Sequence, residues 1–258
     1  MLLHPFLMYD VDSENESEKR ALTYEIKERI LREYPYKTEL HAHTYPISPC
    51  SEFSPDALIE TYLKTGVHAI ALTNHFTPAQ IAEREPKEFA KAYIGAFYDF
   101  RDAAESRGIR AIFGAEIRFA ENSNDYLLYG IDEKDVLPLC AYLPLGLERF
   151  RREFYREGML LIQAHPCRNG MTDMPPSLLD GIEAFNLHPG HNSRIAIAAR
   201  RASEGALLVT GSTDFHHPGH EGCCLMRSRE LPTDSHELSA LLRSRDFALE
   251  VSGSVILP

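Results

Sequence analysis

The chain lacks the marks of a disulfide-stapled, membrane-spanning or serine-nucleophile protein. Its five cysteines, Cys50, Cys140, Cys167, Cys223 and Cys224, form no Cys-x-x-Cys pair and no even framework. That usage argues against a structural disulfide and suits a reducing compartment. No apolar run reaches the roughly 18 residues of a membrane span. Met1 to Met8 is too short and too weakly apolar for a signal peptide and has no basic start. These absences lead to the expectation of a cytoplasmic protein with no membrane partner. Positive charge is also scarce: 27 Lys and Arg against 38 Asp and Glu give a formal net charge of −11. Such an average field repels a polyanion, so general nucleic-acid binding is not expected. Two or three divalent cations would cancel roughly 4–6 of those charges locally, so an acidic chain can still hold a phosphate-binding mouth. There is no glycine-rich phosphate loop and no Gly-x-Ser-x-Gly elbow, which leaves serine-nucleophile chemistry without support.

At 258 residues and 44% hydrophobic content, the chain suits one large α/β domain as well as two small ones. Short apolar strands alternate with helices along it. Residues 10–20 are acidic and polar and read as a flexible or turn segment. A helix follows from about Glu18 to Tyr34, stopped before Pro35, with Tyr34 and Tyr36 anchoring it. Strands are expected at Tyr36–His43, Ala69–Leu72, Ile109–Phe113 (ending at Glu116), Tyr126–Ile131, Met159–Gln163, Gly181–Asn186, Ala206–Thr210 and Phe247–Val251. Helices are expected at Pro55–Thr65, Pro86–Arg107, Pro144–Glu157, Ser193–Glu204 and His236–Arg243. Ser54-Pro55 is a strong start, and Gly66, Gly108, Gly158 and Gly205 mark ends. The stripe Phe89, Tyr93, Phe97 and Phe100 reads as core packing. About seven strand–helix units argue for a parallel, closed or nearly closed barrel in a single domain. A doubly wound open sheet is the competitor, but it gathers its site at one switch point. No linker divides the chain. Residues 1–35 read as an N-terminal extension and helix, and 36–258 as the barrel.

The chemistry concentrates at strand ends. In Glu39-Leu40-His41-Ala42-His43-Thr44, two histidines flank one small residue and point the same way on an extended chain. Two imidazoles so placed can reach one metal ion. Thr73-Asn74-His75, Gly114-Ala115-Glu116, Gln163-Ala164-His165-Pro166 and Thr213-Asp214-Phe215-His216 follow, each at the end of an apolar run. Five such clusters describe a polynuclear metal site at the C-terminal mouth of a barrel. Buried polar groups at this density are costly without ions or partners.

These motifs, in this order, resemble those of the PHP (polymerase and histidinol phosphatase) domain family, over about Tyr36 to Val251. The resemblance implies a distorted (β/α)7 TIM-like barrel, two or three divalent metal ions, and hydrolysis of phosphoesters. It implies that His41, His43, Glu116 and Asp214 hold a first metal. Glu116 bridges to a second, which His165 also binds, and His75 and His216 hold a third. Imidazole and carboxylate ligands suit zinc, manganese or iron. Two ions roughly 3.5–4 Å apart can activate a water and clamp both oxygens of an in-line displacement.

The chain departs from the family pattern twice. Many members carry an aspartate in the loop after the first histidine pair, but Thr44 to Ser51 offers no carboxylate before Glu52. Ser48 falls nearest the expected place, with Cys50 close by, so the third site is weak, empty or altered. Many members also have a histidine before the glycine of the fourth strand. Here Asp125 stands there, and a carboxylate can replace that imidazole at the second metal.

On the substrate side, Arg168 follows His165 by three residues and can match phosphate bidentately. Arg118 shares the face of Glu116. Asp214 or a histidine such as His216 is the candidate acid or base. His188, His191, His217 and His220 lie in loops near the mouth, where they are either substrate contacts or ordinary loop residues, with His217 pointing away from His216. His4, His68 and His236 read as structural or surface residues, and Cys167 as a soft ligand or a small buried hydrophobe.

The function expected is a metal-dependent phosphoesterase that hydrolyses a small phosphorylated metabolite or nucleotide by a metal-activated hydroxide. One alternative is a barrel metallohydrolase of the amidohydrolase type, which would usually need a metal-bridging lysine where Glu116 stands. Another is a non-catalytic metal-binding module. The loops Tyr45–Phe53, Phe76–Pro86 and Arg168–Leu179 carry no readable code for substrate. Metal identity and oligomeric state stay open.

Overall fold

The computed structural model describes residues 16–258. The signal-peptide reading of residues 1–8, the reading of His4 and the turn reading of residues 10–15 lie outside the described residues. From residue 16 the chain is helical, so that part of the acidic segment is not a turn. In chain order the elements are α1 (Glu16–Glu33), β1 (Tyr36–Ala42), α2 (Pro55–Tyr62), β2 (Ala69–Leu72), β3 (His75–Phe76), α3 (Pro78–Ala82) and α4 (Pro86–Glu105). Then come β4 (Arg110–Phe113), β5 (Ala115–Arg118), β6 (Asp125–Tyr129), α5 (Glu133–Tyr142), α6 (Leu147–Glu153), β7 (Leu160–Gln163) and β8 (Gly181–Asn186). The chain closes with α7 (Ile195–Gly205), β9 (Leu208–Ser212), β10 (Cys224–Ser228), α8 (Ser235–Ser244), β11 (Phe247–Val251) and β12 (Ser254–Ile256). Among the described residues no helix is long and apolar enough to cross a membrane, and all five cysteines are free.

Local chemistry explains most element ends. The Ser54 hydroxyl accepts from the Ala57 N–H at 3.3 Å, and Pro55 occupies the first turn of α2. A short 3-10 turn follows, and Gly66 leaves it at φ 67°. Along α4, Phe89, Tyr93, Phe97 and Phe100 are buried. The Phe97 ring meets Phe113 of β4 edge-on at 4.8 Å, and Phe76 packs on Phe89 and Tyr93. Burying each such ring contributes about 1.5–3 kcal/mol, so this stripe is core. Tyr34 anchors the end of α1: its hydroxyl donates to Asp246 at 2.6 Å and its carbonyl accepts from Arg227 at 2.9 Å.

The strands form two six-stranded sheets, ordered β12-β11-β10-β1-β2-β4 and β3-β5-β6-β7-β8-β9. The pairs β1–β2, β2–β4, β3–β5, β7–β8 and β8–β9 are parallel. The expectation of a wholly parallel sheet is corrected at β6, which pairs antiparallel with both β5 and β7. Only residues 119–124 connect β5 to β6, too few for a parallel crossover, which needs a dozen or more. Two further strands, β10 and β12, turn the far edge of the first sheet antiparallel. The expected helix over Pro144–Glu157 narrows to α6, and α3 and α5 are additional.

The two sheets share their chain. At Thr73-Asn74 and at Gly114 the runs β2–β3 and β4–β5 pass from one sheet to the other, tied by Gly114 N–H to Leu72 and Glu116 N–H to Asn74. A Cβ at Gly114 would lie 3.1 Å from Thr73 and 3.3 Å from Tyr129, which explains the glycine. On the opposite side Phe215, beyond β9, bridges in parallel to Ala42. The protein is a mixed α/β domain whose parallel strands deliver their C-terminal ends to one place. The start of the inverted β6 comes to that same end.

Candidate metal centre

Residues 39, 41 and 43 share one face of β1 and its extension, so Glu39, His41 and His43 point inward together. Glu39 is buried and ties three elements: its carboxylate accepts from the His41 N–H, the Thr213 N–H and the Tyr62 hydroxyl at 2.8–3.1 Å. Burial pushes the Glu39 carboxyl up to about 7 against those hydrogen bonds. His165 and Asp214 have positive φ, 31° and 53°. Such backbone costs of order 1–3 kcal/mol for a non-glycine residue, and it sits where the chain must turn these side chains into the cleft.

Glu116 is the hub. Its Oε1 is 3.3 Å from His41 Nε2 and 3.1 Å from His165 Nε2. Its Oε2 is 2.7 Å from His75 Nδ1 and 3.4 Å from His43 Nε2. Asp214 Oδ1 lies 3.4, 3.5 and 3.3 Å from His41 Nε2, His43 Nε2 and His216 Nδ1. His41, His43, Glu116, His165, Asp214 and His216 are all buried, and His75 is partly so. Three groups have ligand atoms mutually within 4.8 Å: His43, His75 and His216; His41, His43 and Glu116; His75, Glu116 and Asp125.

The donor set fits divalent metal. His41 Nε2, His43 Nε2, His75 Nδ1 and Glu116 Oε2 are buried and have no hydrogen-bond partner, although they face one another. Each buried orphan costs about 1–3 kcal/mol, and ions held within the three groups would satisfy them. The opposite ring atoms are committed. His41 Nδ1 meets Glu183 Oε1 at 3.0 Å, and His43 Nδ1 meets Ser48 Oγ at 3.2 Å. With metal bound, such bonds would fix the tautomer and turn the Nε2 lone pairs inward.

The cleft's electrostatics agree. Burial disfavours charged His41, but Asp214, Glu116 and Glu183 outweigh it and hold its pKa well above the usual value. Burial, then the neighbouring His216 and His75, hold His43 well below. Despite burial, the surrounding histidines keep Glu116 and Asp214 well below the usual carboxylate range. The anions are therefore charged at neutral pH. A cation entering the cleft would take over from the protons that now balance them.

Asp125 and Arg168 stand at the rim. Asp125 is buried at the start of β6, with Oδ2 3.9 Å from His165 Nε2. Its two oxygens accept Nε and Nη2 of Arg118 at 2.7 and 2.8 Å, and Arg168 Nη2 approaches at 3.4 Å. Arg168 Nη1 also meets His191 Nε2 at 3.2 Å, and His191 Nδ1 lies 3.3 Å from Asp214 Oδ2. The His188 ring stacks on His191 at 4.1 Å. His217 turns away to Glu52. His68 accepts the Lys37 N–H, and His236 pairs with Asp132 at the surface.

Several residues of the cleft escaped sequence reasoning. Glu183 accepts from His41, from the His165 N–H, from Asn186 and from Ser212. Asn186 also donates to Asp214 at 3.0 Å. Asn74 accepts from the Thr44 N–H at 2.7 Å and the Ser48 hydroxyl at 2.9 Å. One signal was available: Glu183 is the lone charge in the otherwise apolar strand run Gly181–Phe185. Ser48 holds neighbours in place. Besides His43 and Asn74, it accepts the His75 N–H at 2.9 Å. Cys50 lies near His75 and His216; burial opposes its thiolate, but hydrogen bonds from those two rings bring its pKa down to about 6.

Fold and site together define an α/β protein with a buried histidine and carboxylate cradle at its strand ends. The PHP domain profile matches residues 39–254, and the chain belongs to the PHP domain family. No curated protein matches it. Among solved structures it is similar to a two-domain protein from Bacteroides vulgatus that contains a predicted PHP-like metal-dependent phosphoesterase, at 18% identity and TM-score 0.55. That match covers 84% of this chain and 64% of the other, so this chain spans less than two thirds of that protein. It is also similar to PsfC from Pseudomonas syringae, at 16% identity and TM-score 0.58, covering 80% of this chain and 87% of that one. At such identities the likeness speaks for the fold alone.

Proposed function

We propose that the protein is a metal-dependent phosphoesterase acting on a small phosphorylated metabolite or nucleotide. In this reading residues 36–258 form a catalytic unit of distorted (β/α)7 TIM-like barrel type, and 1–35 are an N-terminal extension. The observation that carries it is the convergence of orphaned, buried ring nitrogens on Glu116. His41, His43, Glu116 and Asp214 would hold one ion. Glu116 and His165, with Asp125 at the edge, would hold a second, and His75 with His216 a third. Bound there, zinc, manganese or iron would supply Lewis-acid polarisation of the phosphoryl group and activation of a water.

The chain's own groups supply the rest. Among the described residues the Arg168 guanidinium is held by the 3.4 Å contact to Asp125 and its contact to His191, which leaves it able to turn onto a phosphate oxygen. Asp214 and His216, 3.3 Å apart, can hold a proton for the leaving oxygen. The amidohydrolase-type alternative still lacks its lysine, because position 116 is glutamate. Elemental analysis of the purified protein, paired with a phosphatase screen with manganese, zinc or iron added, tests the proposal. The expected result is two or more ions and metal-dependent phosphate release, both lost in His41→Ala. Bound ions without phosphate release would favour another hydrolase or a binding role. No bound metal under any condition would overturn the reading.

A further inference from the structure

One imidazole links the histidine and carboxylate cradle to Arg168. Asp214 divides its two oxygens. Oδ1 lies 3.3–3.5 Å from ring nitrogens of His41, His43 and His216. Oδ2 accepts from Asn186 Nδ2 at 3.0 Å and lies 3.3 Å from His191 Nδ1. The other ring nitrogen of His191, Nε2, meets Arg168 Nη1 at 3.2 Å. A guanidinium has only donors, so Nε2 must accept and the ring proton stands on Nδ1, toward Asp214.

His191 is itself held in place. Its ring stacks on His188 at 4.1 Å and meets His165 edge-on at 5.2 Å. Its N–H donates to the His188 carbonyl at 3.0 Å, and the His188 N–H donates to Asn186 Oδ1 at 3.2 Å. The same loop grips Arg168 a second time. Arg194 donates to the Cys167 carbonyl and to Asn169 Oδ1, on either side of Arg168. Residues 187–194, which follow β8, thus hold Arg168 by its guanidinium and by its backbone. Among the described residues the guanidinium has one other acceptor, Asp125 Oδ2 at 3.4 Å, and Arg118 already occupies both oxygens of that carboxylate. These two contacts leave Arg168 further N–H donors, so the bond to His191 can persist while a phosphate is bound.

We propose that His191 is the positioning residue that registers Arg168 against the metal centre, holding its guanidinium at a fixed reach from Asp214 before a phosphate arrives. His191 need not touch the substrate. It offers Arg168 an acceptor without a negative charge, so the guanidinium is ordered and its charge stays available to an anion. With Arg168 already ordered, a phosphate does not have to immobilise that long side chain, a cost equivalent to about 2–10-fold in affinity. The proposal rests on the reading of Arg168 as the phosphate contact, and the test separates the two.

The test is a double-mutant cycle with inorganic phosphate as the probe, followed by calorimetry on the metal-loaded full chain, with elemental analysis of every variant. His191→Ala should bind phosphate about 2–10-fold more weakly, with its metal content unchanged. In the Arg168→Ala background the same change should add no further loss. His191→Gln should restore most of the binding, because its amide oxygen can accept from Arg168 while its nitrogen donates to Asp214. A loss from His191→Ala that persists without Arg168, a loss of metal in His191→Ala, or a His191→Gln no better than alanine would overturn the positioning role. So would phosphate binding that is unchanged in His191→Ala and weakened in Arg168→Ala. A chain that takes up no metal, or that binds phosphate equally well with and without Arg168, would overturn the function reading and this proposal with it.

Discussion

Replacing Glu183 by glutamine should weaken metal binding by changing the tautomer of a histidine that it touches. Glu183 is fully buried, and each oxygen takes two donors. Oε1 accepts from His41 Nδ1 at 3.0 Å and from the Ser212 hydroxyl; Oε2 accepts from the His165 N–H at 2.9 Å and from Asn186 Nδ2 at 2.9 Å. A glutamine side chain has one oxygen. Its amide nitrogen cannot face the His165 N–H, a backbone donor that has no way to become an acceptor. The nitrogen must therefore take the Oε1 side. There the Ser212 hydroxyl can rotate, but His41 must accept at Nδ1, which moves its proton to Nε2. That atom lies 3.3 Å from Glu116 and 3.4 Å from Asp214, and a protonated Nε2 cannot ligate. Loss of a partner that orients a metal-bound histidine costs about 10–100-fold in affinity, or about 1.4–2.8 kcal/mol. Competition against a chromophoric chelator measures it, with circular dichroism as the check on folding. A natively folded Glu183→Gln protein that holds metal within a factor of two of wild type would refute the tautomer argument.

Arg168→Ala should raise KM for the best phosphoester substrate by about 10–100-fold, the worth of a charge-assisted hydrogen bond of about 1.5–3 kcal/mol; steady-state kinetics of the metal-loaded protein checks this, and an unchanged KM removes Arg168 from the site. Gly130→Ala should be among the most damaging single changes, because Gly130 has φ 71° and a Cβ there would collide with the Gly158 carbonyl. Left-handed strain and overpacking sum to about 2–6 kcal/mol, which thermal unfolding would register as a fall of several degrees or more in Tm. Glu250 gives a pH signature. Burial opposes its charge, but Arg227 at 2.7 Å and Lys37 at 3.5 Å outweigh that and hold its carboxyl below the usual 4.5. Its stabilisation, at most about 1 kcal/mol, is then fully present above the unfolded pKa and is lost as pH falls through the lower folded one. Denaturant unfolding should find Glu250→Gln less stable than wild type at pH 7, with the gap closing below about pH 4.5; a gap that widens in acid would contradict the sign.

What could be read from the sequence was local chemistry. Ser54-Pro55 starts α2 because a hydroxyl and a fixed φ act within one turn, and the metal-cradle residues announce themselves because each closes an apolar run. Strand direction was hidden, since period-two alternation is the same read forwards or backwards. The helix α5 was overlooked although Asp132 and Asp135 form a capping box at its start, because Pro138 interrupts the pattern. The hidden direction of β6 has a chemical consequence. Antiparallel register puts Asp125 directly opposite Arg118, which explains why a residue expected among the ligands has both oxygens occupied by a guanidinium. Two arginines sharing one carboxylate leave one net positive charge beside the cradle. Of the two, Arg118 makes both short bonds, and Arg168 approaches from 3.4 Å with about a quarter of its side chain exposed. Arg118 thus neutralises Asp125 and fixes the rim. Arg168 keeps its charge available, so a chain of net charge −11 can still present a cationic contact to a phosphate.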